Sequence, residues 1–98
     1  MAVTSRPEGT LKDKCMGWAK ARPDIWLMKV MGNSIQTGGI PDILACYKGK
    51  FYAIELKRPD GQGVLATRQE AQLRRIIRAG GIGVVVDSLE QFKEIFND

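Results

Sequence analysis

Apolar positions along this chain follow two periods, and the switches between them mark its elements. Leu11, Cys15, Trp18 and Ala19 recur at spacings of three and four, the period of one helix face. Upstream, Thr4-Ser5-Arg6-Pro7-Glu8 reads as the start of that helix. Ser5 would cap it, Pro7 would sit in the first turn, and Glu8 falls three residues after the cap. Gly9 and Gly17 weaken the helix, which is expected to reach about Ala21 before Arg22-Pro23-Asp24 breaks it. Ile25 to Met31 is apolar enough for a strand, and residues 32–39 form a loop. Two further strands, Ile43 to Tyr47 and Phe51 to Lys57, flank a tight Lys48-Gly49-Lys50 turn. After a loop over 59–63, Thr67 with Glu70 forms a capping box. It opens a helix that runs to about Ala79 and stops at Gly80-Gly81. Ile82 to Val86 is short and β-branched, as a buried strand should be, and Ser88 caps a last helix from Leu89 to Phe96. The order is α-β-β-β-α-β-α, an α/β arrangement.

Within A-I-E-L-K-R-P (53–59) the strand period puts Glu55 and Lys57 on one face, with Ile54 and Leu56 on the other. If the hairpin turn centres on Lys48 and Gly49, facing residues have numbers that sum to 97. Asp42 then opposes Glu55, Leu44 opposes Ala53, and Cys46 opposes Phe51. Opposed Cβ atoms lie about 4.5–5.5 Å apart, and two carboxylates that close resist joint ionisation unless a cation lies between them. Oxygen ligands without imidazole or thiolate suit a hard ion, Mg²⁺ or Mn²⁺. Lys57 would reach the attacking water or the phosphorus, so the constellation suits metal-assisted phosphodiester hydrolysis. Glu-x-Lys ending a strand is, by itself, usually a solvated ion pair, and Pro-Asp before a strand is usually a turn. It is their opposed spacing that changes the reading.

Composition narrows the field. With 98 residues and 44% hydrophobic content, residues 1–98 are expected to form one domain. The formal charge of +4 is unevenly placed. Residues 87–98 carry four acids against Lys93 alone, which leaves 14 basic and 7 acidic side chains in the preceding 86 residues. A body this basic suits a polyanion such as nucleic acid. The absence of histidine excludes a Ser-His triad, a His base and a His-ligated zinc. Cys15 and Cys46 make no C-x-x-C pair and read as reduced core thiols of a cytoplasmic protein. Trp18 and Trp26 are likewise assigned to the core. No apolar run approaches membrane-spanning length, and no signal-peptide h-region is visible.

Gly39-Ile40-Pro41-Asp42 followed by Glu55-Leu56-Lys57 resembles the P-D…(D/E)-x-K signature of the restriction-endonuclease-like nucleases. The longer string is more specific. G-I-P-D-I-L, a short turn, A-I-E-L-K-R-P, then T-R-Q before a helix ending in A-G-G is similar to the VRR-Nuc family. That family occurs as small stand-alone nucleases, often phage-encoded, and as the nuclease domain of the Fanconi-associated nuclease. The match spans about Gly38 to Val86. It implies a restriction-endonuclease-like core, a mixed sheet flanked by helices. It also implies that Asp42 and Glu55 are the metal-binding acids, the Leu56 backbone carbonyl the third ligand, and Lys57 the catalytic lysine. Gln69 matches the glutamine opening the following helix, and Glu8 the acid brought by the first helix. The name-giving arginine has no clear counterpart at Gly83 to Val86; Arg74, Arg75 and Arg78 are its nearest stand-ins.

The expectation is therefore a divalent-metal-dependent, structure-selective DNA endonuclease similar to a Holliday-junction resolvase. It would act as a homodimer on branched or four-way DNA in a bacterial or phage-infected cell. The first helix with Met28, Met31 and Ile35 is the candidate interface. Arg68, Arg74, Arg75 and Arg78, with Lys48 and Lys50 at the hairpin tip, are candidate DNA contacts, although each is also an ordinary surface cation. The loop with Asn33, Gln36, Gly38 and Gly39 can offer backbone contacts to a phosphate. A nicking or restriction-type nuclease on ordinary duplex, a non-catalytic nucleic-acid-binding module of the same fold, and a structural domain with surface ion pairs stand as alternatives.

Overall fold

The Lys48-Gly49 turn sets the geometry of the sheet. Both residues have positive φ, 52° and 80°, which gives the type I′ turn whose twist matches that of the strands it joins. In a computed structural model that describes residues 10–30, 38–57 and 65–97, the turn joins β2 (Ile43–Tyr47) to β3 (Lys50–Leu56). Tyr47 pairs with Lys50, Cys46 with Phe51, Leu44 with Ala53 and Ile43 with Ile54, the register in which facing numbers sum to 97. The remaining elements are α1 (Leu11–Lys20), β1 (Ile25–Lys29), α2 (Thr67–Arg78), β4 (Ile82–Val86) and α3 (Leu89–Ile95). The order is the expected α-β-β-β-α-β-α. Strands lie in the order β1-β2-β3-β4; the first three are antiparallel and β4 runs parallel to β3. The sheet is mixed because α2 carries the chain across between two parallel strands.

One face of the sheet is closed by α1 and α3. Ile25, Ile43, Ala45, Tyr47, Tyr52, Ile54 and Val86 meet Cys15, Ala19, Phe92 and Phe96 in a single buried cluster. Its densest part is aromatic. Phe96 stands edge-on to Tyr47 with centroids 5.2 Å apart and lies 5.3 Å from Phe92, which in turn meets Trp18 edge-on at 5.9 Å. Burial of each such ring contributes about 1.5–3 kcal/mol. Arg22 stitches the periphery: it holds Asp24 with two bonds, donates to the Phe96 carbonyl at 3.2 Å and lies over the Trp18 ring.

Among the described residues the opposite face carries α2 alone, packed on β3 and β4. Leu73 and Ile77 come against Gly83, while Ile76 and Phe51 come against Gly81. Over β1 and β2 this face has no helix among the described residues, and two expectations fail there. Trp26 is 58% exposed and Cys46 is exposed, because the strand period turns both away from Ile25, Ala45 and Tyr47. Trp18 and Cys15 do join the core, as expected.

Element boundaries differ in several places. α1 starts after Thr10, whose hydroxyl accepts from the Asp13 N–H at 3.2 Å while the Asp13 carboxylate accepts from the Thr10 N–H at 3.3 Å. Thr10-Leu11-Lys12-Asp13 is thus the capping box, and Thr10 is extended (φ −83°, ψ 173°), so α1 begins after it; Ser5, Pro7 and Gly9 lie outside the described residues. Second, the cap of α2 is Ala66 rather than Thr67. Gln69, not Glu70, reaches back, accepting from the Ala66 N–H at 2.8 Å; alanine has no oxygen to return the bond. Third, β1 ends at Lys29 and β3 spans Lys50–Leu56, each shifted slightly from expectation. Ser88 caps α3 as expected. Among the described residues no helix is long and apolar enough to cross a membrane.

Candidate active site

The hairpin register delivers the two acids. Asp42 immediately precedes the Ile43–Ile54 pair, and its Oδ2 accepts from the Leu56 N–H at 2.8 Å. That bond spans the two strand ends and fixes the carboxylate beside Glu55. Glu55 is 3% exposed, the one buried charged residue among those described. Its Oε2 accepts from the Gln69 amide nitrogen at 2.5 Å, and its Oε1 has no hydrogen-bond partner. A buried unpaired carboxylate oxygen is costly. Gln69 is held at both ends of its amide, by Ala66 on one side and Glu55 on the other. Its place in the helix cap therefore aims it at the acid.

Electrostatics follow from this geometry. Burial pushes the Glu55 carboxyl up to about 8 from an ordinary 4.5. The neighbouring Asp42 carboxylate pushes the same way, and the Gln69 amide and the Lys12 ammonium oppose it. Two carboxylates this close resist joint ionisation. A positive ion between them would remove both the repulsion and the orphaned oxygen.

Lys12 was not singled out from the sequence. Its ammonium lies 3.7 Å from Asp42 Oδ1 and donates to the Val30 carbonyl at 3.4 Å. Only the Thr10 box signalled it, since a helix starting at Leu11 puts Lys12 in the first turn beside the sheet ends. Thirty residues separate it from Asp42, and no local pattern reports such a contact.

Lys57 follows β3 directly. Its N–H donates to the Val86 carbonyl at 2.8 Å, extending the parallel ladder, so strand alternation holds and puts its side chain on the Glu55 face. Its ammonium has no ion pair among the described residues, and the residue as a whole is half-buried. Asp42, Glu55, Leu56, Lys57 and Gln69 are thus gathered at one end of the sheet. Glu8, Met31, Asn33, Ile35 and Gln36 lie outside the described residues.

The proposed DNA contacts do not all gather there. The Arg68 guanidinium packs against Gly38, and its carbonyl lies 2.5 Å from where a Cβ on Gly39 would be. Gly39 has φ +86°, so this loop needs glycine on both counts, and Arg68 fastens it to α2. Arg74 sits 3.9 Å from Glu70 on the exposed side of α2. Arg74, Arg75 and Arg78 lie about 8–14 Å farther along the helix than Gln69. Lys48 lies over the Tyr47 ring at 5.5 Å, and Lys48 and Lys50 occupy the hairpin tip, roughly 17–20 Å from Glu55 along the strand.

The donor set consists of oxygens alone. Among the described residues no group of three or more Asp, Glu or Cys side chains gathers, so this site offers two carboxylates. Magnesium is commonly held by one or two carboxylates, with water and phosphate completing the shell. The residues present fit such an ion, and the free Glu55 Oε1 is the atom best placed to receive it.

A scan against family models and a search of curated proteins find no match. A solved structure described as "VRR_NUC domain" superposes with a TM-score of 0.67 over 89% of this chain and 95% of its own, at 22% identity. The chain has the fold of a VRR_NUC domain. The α-β-β-β-α-β-α order and the mixed sheet expected from the sequence are therefore those of a fold it shares with that domain. In this VRR_NUC-like fold the acids lie where β2 begins and β3 ends, with the start of α2 closing over them.

Proposed function

We propose that this chain is a VRR-Nuc-type nuclease that hydrolyses phosphodiester bonds in DNA with Mg²⁺ or Mn²⁺. The observation that carries the reading is the opposed Asp42–Glu55 pair, with one buried carboxylate oxygen unpaired and Lys57 on the same face. Asp42, Glu55 and the Leu56 backbone carbonyl would hold the ion, and Gln69 orients Glu55. A bound divalent ion would polarise the scissile phosphate and lower the pKa of bound water. Lys57 supplies a positive charge where the phosphate gains negative charge as water oxygen bonds to phosphorus and the P–O bond to the leaving strand breaks. Lys12 sits on the far side of Asp42, within reach of a phosphate oxygen once the carboxylate is neutralised.

One chain of this size carries one site and no separate base-reading element among the described residues. That favours structure-selective cutting, with two strands cut by a symmetric homodimer and branched or four-way DNA as substrate. The test is cleavage of end-labelled four-way junction, flap, single strand and plain duplex in Mg²⁺ or Mn²⁺, with wild type and Lys57→Ala. Paired cuts in the junction, lost in the variant, are expected. Equal cutting of every substrate would remove the junction preference and leave a general duplex nuclease. Absence of cutting in all four would sink the reading.

A further inference from the structure

The uncovered part of the α2 face is built unlike a spare surface. Trp26, Cys46 and Phe51 form one row across β1, β2 and β3, and Met28, Leu44 and Ala53 form the next. The row after that holds Asp42 and Glu55. Trp26, Met28 and Phe51 are 58, 48 and 44% exposed. An aromatic floor thus leads, on one face, to the two carboxylates about 13 Å away. No acid occurs in either apolar row.

The wall of this floor is α2. Ile76 and Phe51 converge on Gly81, whereas Leu73 and Ile77 converge on Gly83. That orients the helix: its 100° step puts Gln72 and Arg75 on the flank nearer the open strands. Arg75 is exposed, and no ion pair is seen for it among the described residues. The half-buried Lys57 stands at the carboxylate end.

We infer that the open face of β1–β3 is a binding platform for an unpaired nucleic-acid strand, whose bases stack on Trp26 and Phe51 and whose backbone runs along α2 past Arg75 toward the carboxylates. Exposed aromatics on a basic track are what sequence-tolerant single-strand binding uses: every base has a stackable face, and phosphates meet the cations. The charge complementarity is general as well as local, since residues 1–86 carry 14 basic against 7 acidic side chains. The inference rests on the nuclease reading and names its substrate class more closely, as DNA with a single-stranded element.

Fluorescence anisotropy in EDTA separates the two. A labelled twelve-residue oligothymidine and a blunt duplex of equal length would be titrated with wild type, Trp26→Ala, Trp26→Tyr and Arg75→Ala. Loss of one stacked base predicts binding of the single strand weaker by about tenfold or more in Trp26→Ala, with duplex affinity unchanged and Trp26→Tyr close to wild type. Arg75→Ala should weaken both and flatten the salt dependence. Equal binding of the oligothymidine by wild type and Trp26→Ala would overturn the inference, as would no binding by wild type. A wild-type dimer dissociated by Trp26→Ala, seen by sedimentation, would give this face to a second copy of the chain instead. Because EDTA stops hydrolysis, platform binding can hold while Lys57-dependent cleavage is absent, and cleavage can hold while the platform fails.

Discussion

The two faces of the sheet are built to opposite rules. The face under α1 and α3 closes on itself: Tyr47, Phe92 and Phe96 are almost wholly buried and touch one another. The other face is half-covered, displays Trp26, Met28 and Phe51, and buries a carboxylate with an unpaired oxygen. Stability is concentrated on the first face, whereas the second holds an arrangement that costs stability when nothing is bound. An acid kept dry beside another acid serves no purpose in packing; in the proposed function it is half of a cation site. The same polypeptide alternation produces both, since neighbouring residues of each strand belong to different faces.

Substitutions should separate the faces cleanly. Lys57→Ala is expected to reduce DNA cleavage by about 10²–10⁴-fold, the usual range for a positioned proton-transfer or charge-stabilising group. Its melting temperature should hardly move, because the ammonium has no partner among the described residues. Single-turnover cleavage beside a thermal melt checks both halves. Phe96→Ala, on the closed face, should cost about 3–5 kcal/mol by urea unfolding, while Trp26→Ala, as large a truncation on the open face, should stay within about 0.5 kcal/mol. Equal costs for the two would erase the distinction.

Much of this division was legible in the sequence, and the reasons are local. The Lys48-Gly49 turn fixed the β2–β3 register, and that register alone brought Asp42 to Glu55. Ile82–Val86 was readable as a strand and Ser88 as a cap, because short β-branched runs and Ser before an apolar residue have few other meanings; the strand is not the buried one expected, since β4 lies at the sheet edge with only Val86 buried. What failed depends on contacts distant in sequence. Trp26 and Cys46 have apolar side chains in a strand, and only the placement of α2 over β3 and β4 leaves them uncovered. Lys12 meets Asp42 through tertiary packing. The α2 cap was misread by one residue because Thr67 is the better capping residue in isolation; the bond from Ala66 to Gln69 is made where Gln69 also reaches Glu55.

The pH dependence of stability is a finer probe of the open face. Glu55 ionises near 8 in the folded chain against about 4.5 when unfolded, so between those values the folded state binds more protons. Stability contributed by the protonated form is complete below about 4.5 and is lost as pH rises through 8. In metal-free buffer, urea midpoints should therefore fall over this window, and Glu55→Gln should flatten the fall. A wild-type midpoint that rose from pH 5 to 8 while that of Glu55→Gln did not would contradict the upward shift of the buried Glu55. The smallest expected effect lies at the hairpin tip. Lys48→Gly relieves a non-glycine residue at φ 52° but enlarges the freedom of the unfolded chain, so its net change should lie within about 1 kcal/mol, with cleavage unaffected.

Calorimetric titration of Mn²⁺ into the metal-free protein at pH 7.5, with Asp42→Asn alongside, tests the central claim most directly. The account predicts a binding event in the wild type that releases protons, because the ion displaces the proton that burial holds on Glu55, and loss of that event in the variant. Binding of equal strength and equal proton release in Asp42→Asn, or none in either up to millimolar Mn²⁺, would contradict it.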